Sequence, residues 1–142
     1  MSKRSIFIAL IAGASALSLL AGGLPTTVDL KVAKTSPADA KGMYTSYCTP
    51  CHGVNGKGNG PLSASLKRTP SDLTTLSKNN GGNYPEVRVI GILAHGSAVS
   101  GHDGAGMPHW AITLGNMDQN NKLDTPLRIS NLSRYVETLQ TR

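Results

Sequence analysis

Cys48-Thr49-Pro50-Cys51-His52 holds both cysteines of a 142-residue chain, three residues apart, with a histidine directly after the second. Thiols at that spacing support three chemistries: a redox disulfide, half of a zinc site, or thioether attachment of haem. The redox motif expects a βαβ setting, and no such alternation surrounds it. A structural zinc site needs four ligands, and the remaining histidines, His95, His102 and His109, stand at no common zinc spacing. Thioether attachment uses all the pattern's features. The two cysteines lie about one helical turn apart, so both thiols reach one edge of a porphyrin, and His52 follows as the proximal iron ligand. The pattern therefore favours one haem c, bound through Cys48 and Cys51.

The elements that position this motif are helical. Ser36 is a capping residue, Pro37 suits a first helical position, and Asp39 faces the helix dipole, which predicts a helix from about Pro37 into the cysteine turn. Gly53 to Gly60 is too rich in glycine for regular structure and reads as a loop. It lacks the G-K-[ST] ending and preceding strand of a phosphate loop. A second helix is expected after Pro85, with Val87, Ile90, Leu93 and Ala94 at helical spacing and Gly96 ending it. A last helix begins near Thr125-Pro126 and carries Ile129, Leu132, Tyr135, Val136 and Leu139 on one apolar face. No strand pattern follows residue 36, so the class is all-α with long loops, and such loops are usually functional.

Composition agrees with a chain that borrows part of its core. Aromatic residues are 4% of the total, and Phe7 lies in the N-terminal apolar run. Small domains need buried area from somewhere, and a haem supplies a large flat apolar body. The net charge of +6 is scattered, with Lys3-Arg4 and Lys67-Arg68 the only adjacent basic pairs. That pattern argues against a nucleic-acid stripe and leaves a basic face for an acidic protein partner. Residues 1–23 read as an export signal, cleaved or retained as an anchor through residues 5–28, with 24–35 a linker and 36–142 the folded domain. Either outcome delivers the domain to the periplasm or to the outer face of the cytoplasmic membrane.

From about residue 37 onward the chain resembles the small, mostly helical, single-haem bacterial cytochromes c. The resemblance implies a cytochrome c-like fold: about three helices and long loops around one covalently bound haem, with the first and last helices crossing. Tyr44 stands where the family places an aromatic at that crossing, opposite Leu132 and Tyr135. Ala40 takes the place of the family's usual glycine, eight residues before the first cysteine. Met107-Pro108-His109-Trp110 resembles the family's M-P-x-[WF] motif, which makes Met107 the implied distal iron ligand and Trp110 a cofactor-lining residue. Met117 and the three later histidines are the rivals. Pro61 resembles the proline whose carbonyl accepts the proximal histidine's other ring N–H, and Leu62 would pack on the ring. His/Met ligation fills both axial positions, which implies a one-electron carrier between redox protein partners of a bacterial respiratory chain and no enzyme. The alternatives are a peroxidase-like catalyst or ligand sensor with a displaceable sixth ligand, and a tethered electron-transfer subunit of an oxidase or dehydrogenase.

Overall fold

The computed structural model describes residues 34–96, 107–117, 121 and 123–141. The export segment and His102 lie outside the described residues. No helix among the described residues is long and apolar enough to cross a membrane.

Helix α1 (Ala40–Met43) opens on Asp39, whose Oδ1 accepts from Gly42 N at 2.8 Å. This start falls later than the one expected at Pro37. Ser36 Oγ accepts from Ala38 N at 3.3 Å and Ser36 O from Asp39 N at 3.1 Å, so Ser36 makes a turn and the cap passes to Asp39. The backbone then widens into a π turn (Tyr44–Cys48) before returning to helix α2 (Thr49–His52), giving one helical run over residues 40–52. Pro50 explains the widening. It has no N–H to offer, and in an α-helix its ring would collide with the Ser46 carbonyl. Thr49 N instead donates to Tyr44 O, five residues back.

Helix α3 (Glu86–His95) ends at Gly96, which takes a positive φ of 62°. Leu93 is buried and Ile90 and Ala94 pack at the core's edge, as the spacing predicted, but Val87 is 86% exposed and lies off that face. Helix α4 (Trp110–Met117) was not anticipated, although Trp110, Leu114 and Met117 recur at helical spacing. Helix α5 (Asp124–Thr138) buries Ile129, Leu132 and Val136, with Tyr135 and Leu139 half-buried beside them, the face expected from the sequence. Its first turn precedes Pro126 because Asn121 Oδ1 accepts from Leu123 N and Asn121 Nδ2 donates to Asp124 Oδ1.

The class is all-α, with no strand among the described residues. Four helical bodies are described, the first run and α3, α4 and α5, one more than expected. Helix α5 is the hub, packing on α1, α3 and α4, while α3 also meets α4. Tyr44 and Tyr135 stand at the α1–α5 contact with ring centroids 5.0 Å apart and planes tilted 42°. Tyr44, Tyr47 and Trp110 are buried, so the few aromatics after residue 36 concentrate where they cover most area. Arg128 is the one large charged side chain fully buried among the described residues. Its Nη1 donates to Thr35 Oγ1 at 3.2 Å and to Met43 Sδ at 3.7 Å.

Candidate functional site

The motif occupies the end of the first helical run. Cys48 closes the π turn, and Cys51 and His52 end α2. Neither cysteine is in a disulfide, and both are half-buried. Burial, then the neighbouring Cys51, pushes the Cys48 thiol up to about 12. Burial likewise raises Cys51. Both sulfurs are held as neutral thiols, the opposite of the lowered thiolate on which dithiol redox enzymes depend.

A helix that stops at His52 leaves its last carbonyls without partners. The glycine loop supplies them. Gly58 N donates to His52 O at 2.8 Å, Gly60 N to Cys51 O at 3.0 Å, and Leu62 N to Pro50 O at 2.8 Å. Only glycine fits at position 60: a Cβ there would lie 2.4 Å from Thr49 O, 2.5 Å from Pro50 O and 2.7 Å from the Cys51 carbonyl carbon. The loop read as irregular is therefore a backbone clamp on the C-x-x-C-H turn. Tyr44 anchors the same turn from inside, its hydroxyl donating to Gly53 O at 2.9 Å. Burial first, then Cys48 and Tyr135, pushes that phenol up to about 12, so it remains a donor at neutral pH.

His52 Nδ1 lies 3.1 Å from the carbonyl oxygen of Ser71. A carbonyl only accepts, so Nδ1 carries a proton, and in the neutral ring Nε2 is then the nitrogen with the lone pair. The resemblance implies Pro61 as the source of the accepting carbonyl; the structure brings the Ser71 carbonyl into hydrogen-bonding distance, a residue that sequence reasoning missed. Pro61 is exposed and Leu62 half-buried, both on the segment folded under the cysteine turn.

The methionines separate by what their sulfurs touch. Met43 Sδ accepts from buried Arg128, and Met117 Sδ accepts from the Tyr47 hydroxyl at 3.6 Å. Met107, Met117 and Cys48 all pack at the edge of the buried apolar cluster of the described residues. Trp110, expected to line a cofactor, is 3% exposed and stacks on Tyr47, the buried neighbour of Cys48, at a centroid distance of 5.7 Å. His109 is exposed, with its ring against Gly96, where a Cβ would meet Nδ1 at 2.7 Å. That contact joins the end of α3 to the start of α4. His95 is exposed at the end of α3. No group of three or more His, Cys, Asp or Glu that could hold a metal ion occurs among the described residues.

Comparison with protein-family models, with curated proteins and with solved structures finds no match. The functional reading therefore rests on these residues themselves.

Proposed function

We propose that this chain is a one-electron carrier of the cytochrome c kind, holding one haem c through thioethers at Cys48 and Cys51. His52 Nε2 would be the proximal ligand and Met107 the distal one. The observation that carries the reading is the His52–Ser71 contact beside two thiols on one helical turn. With a proton held on Nδ1, the neutral ring presents Nε2 as the nitrogen suited to a metal. The donor set fits the group: two neutral half-buried thiols, a tautomer-fixed imidazole, and a thioether at the edge of the cluster that Cys48 also touches. Bound there, haem supplies a reversible one-electron couple, and a thioether ligand raises its potential relative to a second imidazole.

The chain's own residues supply the rest. The clamp on residues 50–52 holds the His52 backbone, Ser71 O keeps the proton on Nδ1, and Tyr47, Trp110 and Leu114 exclude water beside Cys48. With His52 and Met107 both holding the iron, no position would be left for substrate, which favours a carrier over a catalyst. Export outside the cytoplasmic membrane and redox protein partners complete the proposal, on the strength of the charged, then apolar, N-terminal segment.

The test is spectroscopic and chemical on the protein as isolated from a cell competent in haem attachment. Low-spin spectra in both oxidation states, and haem that stays with the polypeptide through acid-organic extraction, are expected. Cys48→Ala with Cys51→Ala should leave haem extractable or absent. Folded haem-free protein carrying zinc would refute the proposal, and high-spin iron reacting fast with peroxide would point to the catalyst instead.

A further inference from the structure

Ser71 sits in an irregular stretch, and its carbonyl is useful to His52 only if that stretch is held in place. Three groups of contacts hold it. On one side is the glycine loop: Leu73 N donates to Gly56 O at 2.7 Å, and a Cβ on Gly58 would lie 2.1 Å from Pro70 O, so the two backbones touch. Locally, Asp72 Oδ1 accepts from Thr74 N at 2.8 Å and Thr74 Oγ1 at 2.6 Å, fixing the turn that follows Ser71. On the far side is the C-terminal tail. Gln140 Nε2 donates to Leu73 O at 2.7 Å and to Val136 O at 2.9 Å, and its Oε1 accepts from Ser77 N at 2.9 Å. Thr141 N donates to Thr74 O at 2.9 Å.

One side-chain amide thus uses both donors and its acceptor to tie the end of α5 to the segment that carries Ser71. We propose that Gln140 is a positioning residue for His52: it fixes the Ser71 loop, and through the Ser71 carbonyl it fixes the imidazole tautomer and the strength of the Nδ1 hydrogen bond. Its consequence for electron transfer rests on the haem reading above; its effect on the ring does not. A weaker Nδ1 hydrogen bond makes His52 a poorer donor to iron, so the ferric form loses stabilisation and the potential rises.

Two substitutions separate this from general destabilisation. Gln140→Glu keeps size and the acceptor for Ser77 N but loses both donations, and Gln140→Leu removes all three contacts. Asn131→Ala is the control, since it deletes a hydrogen bond from the same helix to Pro37 O at 2.9 Å that does not involve the loop. Nitrogen-15 NMR of the His52 ring, on the full chain in its reduced state as isolated, is the readout. Wild type is expected to show a protonated Nδ1 whose exchange is slowed relative to a free imidazole by the Ser71 hydrogen bond. Gln140→Glu and Gln140→Leu should exchange that proton faster, by up to about tenfold, the net worth of one hydrogen bond. Asn131→Ala should leave it unchanged. In haem-containing protein the two Gln140 variants should also show a raised potential. A folded Gln140→Glu protein with wild-type His52 signals overturns the proposal, as does a wild-type ring with its proton on Nε2. If no haem is attached, the optical spectrum alone reports that, and the ring signals still decide whether Gln140 acts on His52.

Discussion

Gly60→Ala tests the backbone clamp, on which the whole arrangement of the C-x-x-C-H turn depends. The added methyl would meet Thr49 O, Pro50 O and the Cys51 carbonyl carbon at 2.4, 2.5 and 2.7 Å. All three are backbone atoms of the helical run, so no side chain can swing aside. The loop has to lift, which lengthens Gly60 N–Cys51 O and Leu62 N–Pro50 O, now 3.0 and 2.8 Å. Two hydrogen bonds at about 1 kcal/mol each, with overpacking at about 1–3 kcal/mol, amount to a loss of about 3–5 kcal/mol. Against a total stability of about 5–15 kcal/mol for a domain of this size, that is a large fraction. Gly91→Ala supplies the contrast. Gly91 lies inside α3, a Cβ there meets nothing within 4 Å, and alanine should stabilise the helix by about 0.5–1 kcal/mol. Urea unfolding of both variants beside wild type measures the difference. A Gly60→Ala midpoint equal to wild type would mean that the loop does not close on the turn and that the clamp is wrong.

Tyr44→Phe keeps the ring pair with Tyr135 but strands the Gly53 carbonyl, and should cost about 1–2 kcal/mol in the same unfolding assay. Leu132→Ala, fully buried under α1, should cost about 2–5 kcal/mol. The Thr74 hydroxyl, then Thr74 N, holds Asp72 below its ordinary 3.8, with Lys57 adding and burial opposing. The folded value being the lower one, its stabilisation is complete above 3.8 and lost as pH falls through the folded value; the gap between wild type and Asp72→Ala, about 1 kcal/mol at neutral pH for a lost cap, should close in acid unfolding as pH falls through that lowered value. Met107→Ala should abolish the weak sulfur-to-iron band of the oxidised protein and lower the potential, while Met117→Leu should leave the band and change packing beneath Tyr47 by less than about 1.5 kcal/mol; loss of the band in Met117→Leu alone would transfer the ligand role.

The legible parts of the chain are those set by short-range rules. The apolar face of α5 follows from its periodicity, and Gly96 ends α3 as a glycine with positive φ does. The glycine loop is recognisable as a loop, but its purpose is not, because a clamp is defined by which carbonyls its N–H groups meet. Ser71 carries no signal at all. It acts through a main-chain oxygen that every residue possesses, and the contacts that aim it come from Gly56, Gly58 and Gln140, far away along the chain. Trp110 is partly legible: the motif around it marks it as a site residue, but its stacking on Tyr47 is a tertiary contact that spacing does not announce. Helix α4 is carried only by the short spacing of Trp110, Leu114 and Met117 directly after a Gly-rich stretch, a weak signal beside the loop composition that precedes it.

The π turn joins the legible and illegible parts. In an uninterrupted α-helix, residues 44, 47, 48 and 51 share one face, since they follow the i, i+3, i+4, i+7 pattern. Tyr44 and Tyr47 are buried in the core, so both thiols would be buried along with them. A π turn adds in effect one residue to the helix, which rotates everything beyond it by about 100° relative to the preceding face. The observed exposures follow that rotation: Tyr44 and Tyr47 are 1% and 2% exposed, while Cys51 and His52 are only half-buried. Pro50, between the two cysteines, is what forces the wider turn. The same residue that defeats a regular helix thus separates two tasks placed on one short run, packing against α5 with its first half and presenting sulfur and imidazole with its second.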